Sequence, residues 1–496
     1  MFITRTCGVL LHPTSLPGTD GIGSLGNNAR RFVDLLVDMG MSVWQLLPLT
    51  PPAYGNSPYS SYSAFAGNPL LIDCEQLIRE GDLSLDDISI DSNCDRVDFA
   101  EVSAHKEKLL RRAAHSFFKR GYPDLAEEFQ SFCASTPWLH DYALFMAIKR
   151  KFNGASWNLW PSEISLGAPE SYESLSIELD WEIGIQKYQQ WQFFRQWSAL
   201  REYASGRGIR IIGDLPFFVA YDSADVWRGR ENFLLDENGH MTGIAGVPPD
   251  YFSENGQLWG NPLYDWGALK QRGYNWWVDR LRQMLNMFDM VRIDHFRGFD
   301  AVWRVPFGAE TARSGEWIPG PGGDFFETIG ATLGPLSIVA EDLGVITPSV
   351  EELRNSYSFP GMKILQFAFD SDSDNPYLPH NHTRNCVVYT GTHDNNTTLG
   401  WLDELSSERL NAIQEYIGCA QDELVEGVIS LALMSVADLA IIPFQDLLGL
   451  GGEARMNTPG TAKGNWEWRF SWEMVPRNLK SEVRKMLKHH GRFTSD

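Results

Sequence analysis

The strongest constraint in this chain is a recurring pattern: a short, nearly continuous apolar run that stops at a polar or acidic residue. It occurs at Val9–Leu11, Val43–Leu47, Ile209–Ile212, Met290–Ile293, Ser337–Ala340, Lys363–Phe367, Cys386–Tyr389 and Leu439–Phe444. Strands buried on both faces read this way, because neither face meets water. Such strands need helices over them, and helical patterns stand between several. Phe32, Leu35, Leu36 and Met39 fall on one helical face, with Asn27-Asn28 as the N-cap signal. Thr347-Pro348 followed by Glu351 and Glu352 reads as a cap, a first-turn proline and an acidic first turn.

Eight strands with helical crossovers predict an α/β fold, a (β/α)8 TIM barrel. An open doubly wound sheet ranks second, since it usually has fewer strands and no Gly-x-Gly-x-x-Gly follows the first run. The spacing is uneven, so residues 1–496 read as one catalytic barrel with two insertions. Residues 50–205, with helical stretches at Ala104–Phe118 and Ile185–Ala204, form a mostly helical insertion after strand 2. Residues 235–264 form a smaller one after strand 3, expected to be an irregular loop because Gly, Pro and Asn dominate it. In a barrel both rise at the C-terminal face, beside the active site.

A formal charge of −22 argues against a non-specific nucleic-acid binder or a polybasic membrane protein. Six cysteines without a Cys-x-x-Cys fit neither a disulfide scaffold nor structural zinc. The opening MFITRTCGVLLHPTSLPG has too short an apolar stretch for a signal peptide, and no run approaches the ~20 residues of a membrane span. These features predict a soluble protein of a reducing compartment. Eighteen Trp beside 28 Phe and 16 Tyr exceed what a core needs and suggest surfaces that stack on sugar rings. Tyr54, Tyr59, Tyr251, Trp259, Trp466 and Trp468, all in loops rich in Gly, Pro and Asn, are the candidates.

Four strand ends carry acids: Asp214 in IIGD, Asp294 in VRIDHFRG, Glu341 in VAEDLG and Asp394 in GTHDNN. One such acid alone reads most simply as a helix cap or an arginine partner. Several converging on one barrel mouth suit glycosidic bond cleavage. There one carboxylate attacks the anomeric carbon and a second acid protonates the leaving oxygen, with retaining pairs about 5–5.5 Å apart. Arg292, two residues before Asp294, shares its face of the strand and would keep Asp294 ionised. Glu341 must start protonated, which burial and neighbouring carboxylates favour. The other use of such acids is Mg²⁺ or Mn²⁺ binding, with His393 as a further ligand. His393 could equally hydrogen-bond a sugar hydroxyl. A Ser-His-Asp triad has no support, for lack of a Gly-x-Ser-x-Gly elbow.

From about Gly8 to Arg469 the chain resembles the 4-α-glucanotransferases (amylomaltases or disproportionating enzymes) of glycoside hydrolase family 77. GVLLHPTSLPG, GNSPYSSYSAFAGNP, IIGDLPFFVAYDSADVW, GVPPDYFSENGQLWGNPLY, VRIDHFRGFD, VAEDLG, GTHDNNT and GNWEWR appear in the family's order. The resemblance implies an α-amylase-type barrel and retaining double displacement on α-1,4-glucans and maltooligosaccharides. It implies no metal and no cofactor, a cytoplasmic setting, and a monomer or weak homodimer. It assigns Asp294 as nucleophile, Glu341 as general acid/base and Asp394 as transition-state stabiliser, with Asp214, Arg292 and His393 as their partners. Ser57, Tyr59 and Trp259 resemble glucan contacts, and Tyr54 resembles a contact at a second glucan groove. Asp250 and Asn465 lie on loops bordering the cleft. None of the family's catalytic positions is substituted. Hydrolytic relatives in the wider superfamily often carry an Asn-His pair shortly after the strand-three acid. Here Asp214 is followed by Leu-Pro-Phe-Phe-Val-Ala-Tyr, which weakens a hydrolase reading. An α-glucan hydrolase, a non-catalytic glycan-binding barrel and a metal-dependent isomerase stand as alternatives.

Overall fold

The computed structural model of the chain describes residues 5–87, 95–167, 169–249 and 253–493. Among them are twelve strands: β1 (Thr6–Leu10), β2 (Val43–Gln45), β3 (Arg210–Leu215), β4 (Gly243–Val247), β5 (Gln257–Pro262), β6 (Met290–Ile293), β7 (Ala301–Pro306), β8 (Glu316–Pro319), β9 (Ile338–Ala340), β10 (Gly361–Ile364), β11 (Cys386–Tyr389) and β12 (Leu439–Pro443). Eight pair in parallel in the order β10-β11-β12-β1-β2-β3-β6-β9. Each of the eight apolar runs overlaps one of these strands, though the run Lys363–Phe367 is strand only to Ile364 and turns into a 3₁₀ helix over Leu365–Phe367. The two edges meet: Ala340 N–H donates to Pro360 O at 2.9 Å, and Met362 N–H donates to the Asp342 carboxylate at 2.7 Å. The sheet is therefore a closed (β/α)8 barrel. In Glu341-Asp342 the second acid seals the seam, while the first stays at the mouth.

Helix Asn27–Met39 buries Phe32, Leu35, Leu36 and Met39, as the periodicity predicts. Its cap is Gly26 rather than Asn27-Asn28: Asn27 is the first helical residue, and the Asn28 side chain accepts from the Trp472 indole at 2.8 Å. The helix stops at Gly40, whose left-handed φ of 78° suits glycine and whose Cβ would strike Phe493. Helix Leu479–His489 packs against this first helix. Beyond it, the buried Arg492 donates to Thr6 O, Leu433 O, Ser435 O and Ala437 O, all at 2.8 Å. That arginine ties the C-terminal segment to the start of β1.

Between β2 and β3 run helices Phe99–Arg120, Pro123–Ser135, Leu139–Lys151 and Asp180–Ser205, with shorter ones among them. The last is long enough to serve two layers. It packs on helix Asn27–Met39 and on β3 as well as on the other helices of the segment. Its glutamines read loop backbone. Gln190 accepts from Gly67 N–H and donates to Gly67 O, and Gln196 does the same for Asp73. These side chains satisfy buried backbone groups that no strand or helix pairs.

Two expectations need correction. Residues 243–247 and 257–262 are not irregular. β4 and β5 form a hairpin that joins β7 and β8 in a four-stranded antiparallel sheet, order β5-β4-β7-β8, over the barrel mouth. Its Gly and Pro residues sit at a bulge near Ile244–Gly246 and at strand ends, positions where a sheet tolerates them. The tryptophans, too, are mostly structural. Half of the eighteen are buried, including Trp44, Trp157, Trp191, Trp197, Trp227 and Trp277. They fill the wide gaps between barrel and helices, where smaller side chains would leave voids. No helix among the described residues is long and apolar enough to cross a membrane.

Lys106 is fully buried on helix Phe99–Arg120. Its ammonium donates to Asp20 at 2.7 Å and to Ile72 O at 2.7 Å, joining the helical segment to the loop after β1. Lys106→Met would strand the buried Asp20 carboxylate. We expect a loss of about 3–5 kcal/mol, read as a lower urea midpoint with wild-type far-UV circular dichroism before the transition.

Candidate active site

Asp214 and Arg292 are direct neighbours in the β3–β6 register, so their side chains share the inner face at the barrel's C-terminal end. The Arg292 guanidinium lies inside the protein and donates to both Asp214 oxygens at 2.7 Å and to Asp294 Oδ1 at 2.9 Å. Asp214 itself is inaccessible to solvent. Its second partner is Tyr59, whose hydroxyl donates to Asp214 Oδ2 at 2.7 Å. Burial and the nearby carboxylates push the Tyr59 phenol well above its usual range, so it remains a donor.

Asp294 follows β6, with its backbone N–H bonded to Leu215 O. Glu341 follows β9 and faces it across a backbone bridge. His295, the residue after Asp294, donates its N–H to Glu341 Oε2 at 2.6 Å, and Leu343 N–H donates to Oε1 at 2.9 Å. His295 holds a left-handed φ of 51°, uncommon for histidine. That turn aims its N–H at the carboxylate. The His295 ring lies in an edge contact with Trp259 at 4.7 Å, and burial pushes it down to about 3, so it is neutral.

Asp394 follows β11. It accepts from Asn457 Nδ2 at 2.6 Å and stands 3.4 Å from His393 Nε2, and its backbone O accepts from Arg455. The Tyr59 ring stacks on His393 at 5.1 Å, and Trp466 leans on both rings at 5.9 Å. Burial lowers His393 and keeps it neutral. Asp294, Glu341, His393 and Asp394 thus converge on one cleft, with Asp214 and Arg292 buried behind them and Tyr59 and Trp259 beside it.

The electrostatics depart from one expectation. Arg292 lowers Asp294 but does not overcome desolvation. Burial raises both Asp294 and Glu341, and for Asp294 the neighbouring Glu341, Asp214 and Asp394 add to it. Side-chain exposure of 31% at Asp294 reflects only its cleft side; its other sides are packed in protein. Both acids therefore hold a proton to higher pH than a solvated carboxylate does.

The remaining predicted residues fall into place unevenly. Ser57 Oγ accepts from Tyr59 N–H at 3.3 Å and so shapes the turn beneath that ring. Tyr54 is 81% exposed, on a short 3₁₀ turn in the same loop and free of packing. The Asn465 amide bonds within its own loop, to Thr458 N–H and Thr461 O. It shapes the rim rather than offering free polar atoms. Asp250 and Tyr251 lie outside the described residues. Trp468 is buried, a packing residue. His295 and Asn457 were not singled out from sequence. His295 adjoins Asp294, but its donor is a backbone N–H, which no side-chain pattern reveals; Asn457 had no signal. Among the described residues, no group of three His, Cys, Asp or Glu is placed to hold a metal ion.

Comparison with known proteins agrees with this architecture. The family profile described as 4-alpha-glucanotransferase, glycoside hydrolase family 77, matches residues 11–475. A 4-alpha-glucanotransferase from Synechocystis sp. is 50% identical over 499 aligned positions, covering 99% of both chains. One from Thermus thermophilus is 46% identical over 97% of both, and the chloroplastic DPE1 enzyme of Arabidopsis thaliana is 46% identical over 99% of this chain and 86% of its own. The solved amylomaltase from Streptococcus agalactiae in complex with acarbose superposes with a TM-score of 0.96 at 38% identity, covering 99% of this chain and all of that one. The chain belongs to the 4-alpha-glucanotransferase family, the amylomaltases.

Tyr59→Phe removes one charge-assisted hydrogen bond from a carboxylate that water cannot reach. We expect a loss of about 1.5–3 kcal/mol, measured as a shift in urea midpoint with unchanged slope.

Proposed function

We propose that the chain moves a segment of an α-1,4-glucan to the 4-hydroxyl of another glucan or of glucose, in the cytoplasm, as a monomer or weak homodimer. Asp294 is the nucleophile, Glu341 the general acid/base and Asp394 the transition-state stabiliser. Glu341 gives its proton to the glycosidic oxygen as the C1–O bond breaks, and an Asp294 oxygen bonds to C1. In the second half Glu341 takes the proton of the acceptor 4-hydroxyl, whose oxygen displaces Asp294 from C1. The stereochemistry at C1 is retained after two inversions. Neither half needs a metal or an organic cofactor.

The observation that carries this reading is the unequal setting of the two raised carboxylates. Arg292 donates directly to Asp294, while Glu341 rests on two neutral backbone N–H groups. The cation lowers both acids, but only Asp294 receives its hydrogen bond, which favours charge on Asp294 and the proton on Glu341, the reactive arrangement. Asp394, held by Asn457 and beside His393, places a further negative charge near the developing oxocarbenium. The names of the relatives support transfer over hydrolysis. Transfer requires that acceptor sites bind sugar well and limit attack by water. The rims at Trp259 and Asn465 serve that purpose, with Tyr54 as a contact at a separate glucan groove.

With maltotriose in EDTA we expect glucose plus a ladder of longer maltooligosaccharides by chromatography. Asp294→Asn should lower the rate at least ~10³-fold. Glucose and maltose without longer products would instead mark a hydrolase. Arg292→Gln removes the cation that lowers Asp294, so Asp294 rises further and less of it is ionised at a given pH. Alongside a loss of about 10²–10³ in kcat, the acidic limb of the kcat/KM profile should move to higher pH.

A further inference from the structure

One large apolar side chain at the cleft rim has no part in the chemistry above. Trp317 on β8 is 41% exposed and pairs with Trp303 across the β7–β8 ladder, the two rings 5.3 Å apart. One of its faces is covered: the Arg297 guanidinium sits 4.0 Å from the ring centroid. Arg297 is itself buried, in the 3₁₀ turn that follows Asp294, and it donates to Val345 O in the loop that follows Glu341. Val345 is 49% exposed. An indole is thus held by a buried cation between the two loops that carry the paired carboxylates. A ring needed only for packing would turn inward; this one is fixed while much of its surface stays open to water.

We infer that Trp317, with Val345 beside it, is an outer acceptor-side subsite on which a glucose unit of the incoming glucan stacks. This rests on the glucanotransferase reading above. The side follows from the chemistry. Glu341 protonates the departing oxygen and later deprotonates the acceptor, so departing and incoming chains lie on the Glu341 side of the cleft. Around the barrel, Arg297 and Val345 belong to the loops of the adjacent strands β6 and β9. Tyr59, His393 and Trp466 belong to loops after β2, β11 and β12, which wall the cleft around Asp394. A long acceptor leaving the reaction centre past Glu341 runs onto the Arg297–Trp317 rim. The flat apolar face of a glucose ring suits an exposed indole, and a ring already oriented by Arg297 loses little freedom on binding. A neutral ligand is consistent with the site, because Arg297 donates to Val345 O and its cation lies under the indole rather than in the open.

The test uses α-maltosyl fluoride as donor, so no sugar leaves and only acceptor binding is varied. Acceptors are glucose, maltose, maltotriose, maltotetraose and maltopentaose, with fluoride release and product length as readouts. In the wild type, KM should fall as the acceptor lengthens. Trp317→Ala should flatten that dependence, raising KM about tenfold for the longest acceptors while leaving glucose within about twofold, the loss of roughly one aromatic contact. Trp317→Phe should restore most of the dependence. Should Trp317→Ala not fold, Trp317→Leu, which keeps bulk without a flat ring, is measured in its place. Equal losses for glucose and long acceptors would mean a packing role and overturn the subsite, as would no change at any length. If the wild type made no longer product from any acceptor, the glucanotransferase reading itself would fall rather than the subsite alone.

Discussion

The site is organised around one buried cation. Arg292 has three carboxylate oxygens within 2.9 Å and almost no contact with water. An unpaired guanidinium there would be strongly unfavourable, and so would Asp214 without it. The pair therefore holds only if β3 and β6 keep their register, which makes barrel geometry and site geometry one constraint. The same cation touches Asp294 and works against the burial that raises it. On the proposed mechanism, structural and chemical roles are joined in a single side chain.

The rest of the molecule keeps that centre rigid while leaving one side open. Loops at the mouth are held by side chains from distant helices as well as by their own hydrogen bonds. Gln190 and Gln196 hold the backbone at Gly67 and Asp73, and the buried Asp225 carboxylate accepts from Ala64 N–H at 2.8 Å. Lys106 reaches Asp20 and Ile72 O from another helix. The long segment between β2 and β3 is thus a brace for the loop that carries Tyr59. Precision of a fraction of an ångström in a site of this kind depends on such support, because the clustered carboxylates stand on loops.

Legibility varied with the physical origin of each feature. The eight barrel strands were readable because burial on both faces leaves a local signature in each. The acids at their ends were readable as a set, since each follows such a run. The antiparallel sheet was not. β7 and β8 are short, half-exposed strands with Trp303, Arg304 and Trp317, and neither alternation nor a buried run marks them. The Gly- and Pro-rich stretch around β4 and β5 reads as loop because propensity is local, whereas its pairing with β7 is not. Tryptophan content misled for a related reason: composition reports how many rings exist, and only packing reports where they go.

By itself the sequence determined the order and burial of the barrel strands, the acids that close them, and the placement of Arg292 on the same face as Asp294. These follow from periodicity and from short-range chain geometry. Only the tertiary structure decided that Asp214 is closed to solvent, that His295 presents its N–H to Glu341, and that Asn457 and His393 flank Asp394. It also decided that Asp342 seals the barrel while its neighbour Glu341 faces the cleft. Those outcomes depend on contacts between residues far apart in the chain. Their energies come from desolvation and mutual orientation, which do not exist until the barrel has closed.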